Sequence, residues 1–269
     1  MRASGFKAVL VFAALCAGCA PPAPIVLDAE GVRPSLDVRD LGAVLDAAVG
    51  ESGRVEIAEL RAHADRLDAQ LRRWVVTGPR STPTLFPTPE HVVAYWYNAR
   101  AAWALKIALA CDCPKTLHRE RMEHREFVID GRTMTLAKID DLLAADGWQT
   151  LVASPGLRAT RARMPREPFQ PEGIRRAIRQ RVEEFLDDEE RFVIDVQSRQ
   201  VRVPPVLARF APALVAEYER RYGATGATLT TALLPHTSGS AQRRLQDAIG
   251  YAVTAAPPGK FLLTAKPCR

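Results

Sequence analysis

The chain has 269 residues, of which 47% are hydrophobic, enough to bury one sizeable core or two small ones. Its 37 basic and 31 acidic side chains leave a net charge of +6, which is too small and too dispersed to indicate nucleic acid as a partner. After the N-terminal segment, no apolar run reaches the roughly 18 residues of a membrane span, so no transmembrane helix is predicted.

The first nineteen residues have the pattern of a bacterial lipoprotein signal. A basic lead with Arg2 and Lys7 precedes the unbroken apolar run of residues 8–15, and small residues lead to Cys19. The run is too short to cross the roughly 30 Å hydrocarbon layer as a permanent helix. We therefore expect residues 1–18 to be a signal peptide, cleaved before Cys19, whose thiol is then acylated. Simple secretion with cleavage nearby is the alternative.

Residues 19–35 are rich in proline and are predicted to form a tether between the lipid and a single folded domain over residues 36–269. The lipid on Cys19 makes a membrane the expected partner and the periplasm the expected compartment. Ala20 occupies the position after the lipidated cysteine, where the absence of Asp resembles the sorting pattern of outer-membrane lipoproteins.

Two predicted helices dominate the first half of the domain. Apolar residues recur at three- and four-residue spacing from Ile57 to Trp74, which places one stripe against a core. Four prolines then predict a loop over residues 78–89. Pro89 opens a long apolar helix that continues to about Ala110.

Three strand pairs and four further helices are predicted after it. The pair 126–130 and 132–135 turns at Gly131, and Thr135 is expected to cap the next helix. The other strand pairs are 192–196 with 200–203 and 251–254 with 261–264. The helices are expected at residues 136–144, 171–188, 204–222 and 241–249. The predicted class is α+β, a predominantly helical single domain with short antiparallel strand pairs.

Four segments occur in an order that is typical of one family. They are Ala-Tyr-Trp-Tyr-Asn at residues 94–98, the glycine turn, strand and helix start at residues 131–140, a segment at residues 167–186, and a strand-then-helix piece at residues 201–210. This ordered set resembles domain-of-unknown-function family 547 and covers roughly residues 85–215. The resemblance implies a shared core over that range.

The chain departs from the family pattern at the positions that would carry chemistry. Arg100 and Ala101 stand where the family has a Tyr-Asn pair, Thr150 stands at its His position, and Ser154 stands at its Cys position. A thiol-hydrolase-like site at those family positions would lack both its base and its nucleophile here. Ser154 is then a poor nucleophile candidate, because a hydroxyl needs a nearby base at neutral pH.

A different catalytic pair would be Cys113 with His118, which requires the thiolate within hydrogen-bond reach of the imidazole. A zinc site made of Cys111, Cys113, His118 and His124 lacks the ligand spacing of structural zinc sites. We therefore predict no metal and no cofactor.

Three cysteines remain beyond the signal, which in an oxidising periplasm gives one disulfide and one free thiol. Cys268 paired with Cys111 or Cys113 would tie the C-terminal tail to the end of a core helix. A bridge between Cys111 and Cys113 would instead close a very tight, strained loop.

Two groups of polar residues are candidates for binding. Asn98 is the single asparagine of the chain and lies in an apolar helix, where a buried amide must pair with the backbone of a neighbouring loop or with a ligand. Arg158, Arg161 and Arg163 lie in a basic loop after Ser154. They form either a solvated surface or a site for an anionic envelope component, such as a lipid head group or an acidic glycan.

Two functions are open at this point. The leading hypothesis is a lipid-anchored cell-envelope protein that acts through binding or a structural role, with a degenerate family site. The alternative is a thiol- or serine-type hydrolase or acyl-transfer enzyme with an envelope substrate such as peptidoglycan. A pocket joining Asn98, Ser154 and a histidine would favour the enzyme. A filled surrounding of Asn98, with Thr150 buried and no cleft, would favour the binding module.

Overall fold

The computed structural model describes residues 23–110, 122–157 and 162–256 and the strand at residues 263–264. Within these ranges the protein has the predicted α+β fold, with ten α-helices and seven short strands. No helix of the described part is both long and apolar enough to cross a membrane.

The helices are α1 (Arg39–Ala48), α2 (Ile57–Ala62), α3 (Ala64–Val76), α4 (Pro89–Ala110), α5 (Leu136–Asp146), α6 (Trp148–Val152), α7 (Ile174–Asp187), α8 (Pro205–Tyr222), α9 (Leu229–Leu233) and α10 (Gly239–Asp247). The strands are β1 (Val55–Glu56), β2 (Phe127–Ile129), β3 (Arg132–Met134), β4 (Val193–Asp195), β5 (Gln200–Val203), β6 (Ala252–Ala255) and β7 (Leu263–Thr264).

Helix α4 is the centre of the core. It is buried on every side from Val93 to Leu105, and the ring of Trp103 stacks on Phe127 with 4.1 Å between centroids. A helix that is apolar all round must be enclosed by other elements, and α4 is contacted by α3, α5 and α7. Any polar side chain on α4 therefore has to find its partner inside the protein.

The hairpin of β2 and β3 is confirmed. Asp130 and Gly131 adopt positive φ angles of 55° and 64°, the conformation of the tight turn that matches the twist of two antiparallel strands. Thr135 caps α5 as predicted, because its hydroxyl oxygen accepts a hydrogen bond from the N–H of Lys138 at 3.1 Å. The antiparallel pair of β4 and β5 is also confirmed.

The predicted pairing of the last two strands is wrong. Residues 251–254 are predicted to pair with residues 261–264. In the structure, β6 runs parallel to β5, and β7 runs parallel to β1. A two-stranded hairpin is marginally stable alone, whereas β5 offers an open edge that β6 extends into a three-stranded sheet. The strand pairs of the protein are therefore mixed, and not all antiparallel.

The helices differ from the prediction in two places. The apolar stripe from Ile57 to Trp74 is divided between α2 and α3, with the break at His63. His63 has φ −108° and ψ 15°, outside the helical range, and both its N–H, at 3.1 Å, and its ring Nδ1, at 2.9 Å, lie within hydrogen-bond distance of the carbonyl oxygen of Glu59. The short helix α6, which the sequence analysis did not predict, begins directly after Gly147.

Part of the predicted tether lies on the domain. The N–H of Ile25 donates to the carbonyl oxygen of Glu126 at 2.8 Å, and Ile25 forms an isolated parallel bridge with Phe127. Further on, the N–H of Ser35 donates to the hydroxyl of Thr77 at 3.0 Å. These bonds fix the segment to the domain near both of its ends.

Candidate functional site

The residues mapped onto the family's reactive positions do not form a catalytic pair. Ser154 is 0% exposed, and its hydroxyl has no hydrogen-bond partner among the described residues. Thr150 is also buried, and its hydroxyl donates to the Asp146 carboxylate at 2.5 Å. Ser154 thus has neither a described base within hydrogen-bond reach nor access to a substrate.

Seven candidate site residues lie outside the described residues. They are Cys19, Cys111, Cys113, His118, Arg158, Arg161 and Cys268. Lipidation, the disulfide and the Cys-His pair therefore stay predictions. Within the described ranges, no group of three or more His, Cys, Asp or Glu side chains is placed to hold a metal ion.

Asn98 pairs with the backbone of a neighbouring loop, and this interpretation of its burial is confirmed. Its Nδ2 donates to the carbonyl oxygen of Phe169 at 2.9 Å, and its Oδ1 accepts from the N–H of the same residue at 2.8 Å. The two bonds hold the segment before α7 against α4. A cavity of about 210 Å³ beside Asn98 includes His91 and Trp74 in its walls but does not include Ser154.

Arg100, a departure from the family pattern, joins three parts of the core. It is 1% exposed, and its guanidinium donates to both carboxylate oxygens of Asp140, at 2.5 and 3.1 Å. A third hydrogen bond of 2.6 Å reaches the carbonyl oxygen of Pro155. This forked, charge-assisted arrangement ties α4 to α5 and to the turn beside Ser154.

A polar cleft of about 290 Å³ opens where four parts of the chain meet. Its walls come from residues 146–150, α7, α8 and the end of α9 with the 3-10 turn Leu234–His236 that follows it. Trp148, Ile178 and Leu214 are buried apolar residues at this site. An apolar floor with a few polar groups is the usual form of a small-ligand site.

Arg175 on α7 is one of the charges of the cleft, and acidic side chains already neutralise it. Its guanidinium donates to both oxygens of Asp146, at 2.5 and 3.0 Å, and to Glu90 at 3.3 Å. The hydrogen bonds from Arg175 lower the pKa of Asp146, although partial burial acts in the opposite direction. The same bonds raise the pKa of Arg175. This triad is therefore ionised and internally paired.

Two other arginines of the cleft have no pairing partner in the described part of the chain. Arg179 on α7 and Arg221 on α8 are exposed, and neither has a hydrogen bond or ion pair with a described residue. The Arg221 guanidinium lies 5.6 Å from the ring centroid of Tyr222, a cation–π contact that leaves its N–H donors free. Glu217, one turn before Arg221, lines the same cleft and is likewise unpaired among the described residues.

His236 closes one side of the cleft. Its ring packs edge-on against Trp148 with 5.2 Å between centroids, and its Nδ1 lies 3.0 Å from Nε2 of Gln149. Burial lowers the pKa of His236 below 6.5, with the charge of Arg221 acting in the same direction and that of Glu217 against it. The imidazole is therefore neutral at pH 7. With the Gln149 amide donating to Nδ1, the ring proton is assigned to Nε2.

No single segment of the sequence carries a signal for this cleft. Arg175 and Arg179 belong to one helix, and His236 lies 87 residues from its partner Gln149. The one available hint was Thr150, at the family's His position, because Asp146 one turn before it lines the cleft. Thr150 is buried as the binding hypothesis required, but a cleft lies beside it.

Arg163, the described member of the basic loop, lies outside the cleft. Its carbonyl oxygen accepts a hydrogen bond of 2.6 Å from Arg181, which also donates to the carbonyl oxygen of Ala153 at 2.7 Å. Burial lowers the pKa of Arg181. Arg181 of α7 therefore binds the backbone of this part of the basic loop. The Arg163 side chain itself is exposed.

Comparison of the chain with protein-family models, with curated proteins and with solved structures finds no match.

Proposed function

We propose that this chain is a lipid-anchored cell-envelope protein, similar to domain-of-unknown-function family 547 in its core, that binds an anionic ligand in the cleft between α7 and α8. The ligand carries a phosphate or a carboxylate. Acylation of Cys19 holds the protein at a membrane surface facing the periplasm, most simply that of the outer membrane. The packed surroundings of Ser154 support binding over acyl transfer, because a sealed hydroxyl cannot attack a substrate.

One observation carries the proposal: Arg179 and Arg221 stand at the cleft without a partner among the described residues, while Arg175 beside them is fully paired. Arginine forks match the geometry of phosphate and carboxylate oxygens. Free forks above an apolar floor can bind an anion without first breaking an internal ion pair. His236 and Gln149 add neutral hydrogen-bonding groups within the same cleft.

The test measures anion binding to the full-length mature protein held in nanodiscs of zwitterionic phosphatidylcholine. Equilibrium dialysis with glycerophosphoglycerol and with glucuronate supplies a phosphate probe and a carboxylate probe. Empty nanodiscs serve as the blank. We expect saturable binding of at least one of the two probes. No binding of either probe contradicts the proposal.

Paired variants locate the binding. Arg179→Ala with Arg221→Ala removes both free forks and is expected to weaken binding about tenfold or more, since a hydrogen bond to a charged group contributes about 1.5–3 kcal/mol. Arg176→Ala with Arg220→Ala removes the same charge from neighbouring exposed positions of α7 and α8 that do not line the cleft. An equal loss in both double variants would mean that net charge alone attracts the probe.

The anchor has its own test. Mass spectrometry of the membrane fraction is expected to show a diacylglyceryl-modified N-terminus at Cys19. A water-soluble chain that starts at another residue contradicts the anchor and leaves the cleft measurement valid.

A further inference from the structure

An apolar groove of about 410 Å³ adjoins the cleft at Asp146. Phe86, Pro87, Pro89, Val92 and Leu142 contribute apolar surface to it, from the segment before α4, from α4 itself and from α5. Leu142 is 37% exposed, one of the few large apolar side chains of the described residues that face solvent to this extent. An apolar groove open to water on a protein surface indicates a binding function.

The groove and the cleft share a wall. Asp146 lines both of them. Arg175, which lines the cleft, bonds Asp146 and also Glu90, the residue directly after the groove residue Pro89. The Glu90–Arg175–Asp146 triad is therefore the partition between an apolar surface and a cationic one. Because the triad has two carboxylates for one guanidinium, it presents no net positive charge to the apolar side.

The cleft and the groove would contact chemically different parts of one ligand. The cleft supplies two guanidinium groups, at Arg179 and Arg221, that have no partner among the described residues and attract an anionic group. The groove supplies hydrocarbon surface, whose burial by another hydrocarbon is favourable by about 0.8 kcal/mol per methylene. A molecule that satisfies both surfaces carries an anionic head beside an apolar chain.

We propose that the ligand of the cleft is an anionic glycerophospholipid, with its head-group phosphate at Arg179 and Arg221 and an acyl chain in the groove beside Leu142. This assignment rests on the proposed anion binding and adds the hydrocarbon chain to it. Phosphatidylglycerol has the required chemistry, since its single net charge resides on the phosphate and its chains follow directly. A chain fixed to a membrane by its own lipid has such molecules within reach.

The experiment compares a head group with and without chains on the same full-length protein in phosphatidylcholine nanodiscs. Glycerophosphoglycerol is the head alone, and dihexanoyl phosphatidylglycerol, used below its micelle concentration, is the head with chains. Dihexanoyl phosphatidylcholine has the same chains without net charge. After subtraction of binding to empty discs, we expect the dihexanoyl phosphatidylglycerol to bind at least about tenfold more tightly than its head alone, because two or more buried methylenes suffice for that factor.

Leu142→Gln separates the two surfaces, because it makes the groove polar without adding charge. We expect this variant to lose most of the gain from the chains and to bind glycerophosphoglycerol as the unchanged protein does. Val196→Gln is the matched control, since Val196 is 67% exposed on another part of the surface and does not line the groove. Arg179→Ala with Arg221→Ala is expected to weaken both ligands.

Three results would overturn the assignment. If glycerophosphoglycerol binds but the hexanoyl chains add no affinity beyond the empty-disc value, the groove has no role. The same holds if Leu142→Gln leaves the binding of the anionic lipid unchanged. In either case the proposed anion binding stands. If dihexanoyl phosphatidylcholine binds as tightly as the anionic lipid, the head is not recognised. If neither the head nor the anionic lipid binds, the lipid assignment fails, and the proposed function fails with it unless glucuronate binds.

Discussion

Arg179 and Arg181 are two residues apart on α7 and have opposite surroundings. Two residues advance a helix by about 200°, so the side chains leave from opposite faces. Arg181 is surrounded by carbonyl oxygens, donating to Ala153 and Arg163 at 2.7 and 2.6 Å. Arg179 faces the cleft and has no bond to a described residue. On one face of α7, Arg181 stabilises the fold. On the other face, Arg179 is available to bind a ligand.

The same contrast separates Arg100 from Arg221. Arg100 is committed to Asp140 and Pro155 inside the core, whereas Arg221 lies against the ring of its neighbour Tyr222 and has no hydrogen bond or ion pair with a described residue. In a chain whose basic residues are mostly arginine, the residue type by itself does not distinguish these roles. The partners of each side chain distinguish these roles.

The largest effect is expected from Arg100→Ala. Removing the guanidinium leaves the Asp140 carboxylate and the Pro155 carbonyl without their donor, which costs about 3–5 kcal/mol of unfolding free energy. Arg179→Ala is the matched control, because an exposed residue without partners changes the unfolding free energy by no more than about 0.5 kcal/mol. Urea denaturation followed by circular dichroism measures both variants. Equal stabilities would remove the distinction between the two arginines.

Asn98→Ala tests the polar residue that joins α4 to the loop before α7. The substitution leaves the N–H and C=O of Phe169 unpaired, with an expected loss of about 1–3 kcal/mol. Asn98→Asp tests the same two hydrogen bonds in two protonation states. A protonated carboxyl can restore one donor and one acceptor, but a carboxylate cannot. Its stability deficit relative to the unchanged protein is expected to be smaller at pH 4 than at pH 7. A pH-independent deficit would contradict the two-bond geometry.

Ser154→Ala should leave the protein unchanged or slightly more stable. The hydroxyl is buried without a partner in the described structure, so its removal relieves an unsatisfied polar group. We expect the unfolding free energy to stay constant or to rise by up to about 1 kcal/mol. Binding in the cleft is expected to be unaffected. A drop of more than about 1 kcal/mol, measured by the same urea titration, would show that Ser154 has a bond that matters.

The smallest effect concerns His236. Its pKa, measured by NMR titration, is expected below 6.5, and Glu217→Gln should lower it further because the carboxylate favours the protonated ring. With a lowered folded-state pKa, the unfolded chain binds the proton first as the pH falls through 6.5. Stability should therefore decrease on acidification in that window, and His236→Gln should flatten this part of the profile. A His236 pKa above 6.5 would contradict the burial of its ring.

Local sequence signals predicted those parts of the fold that depend on neighbours along the chain. The Asp130-Gly131 turn and the Thr135 cap followed from residue types within a few positions. The final strands did not, because their partners β5 and β1 lie about 50 and 200 residues earlier in the chain, and such pairing is chosen by which edge stays open.

The amino-acid sequence by itself determined that α4 would be central and that Asn98 on it would need an internal partner, since an apolar helix and a buried amide each impose a local requirement. Only the tertiary structure decided which arginines pair with other residues and which have no partner among the described residues. Arg100 meets Asp140 across 40 residues, and the cleft at Arg179 and Arg221 joins four separate segments. Charges interact through space, so their pairing follows from the packing of distant elements and not from their order in the chain.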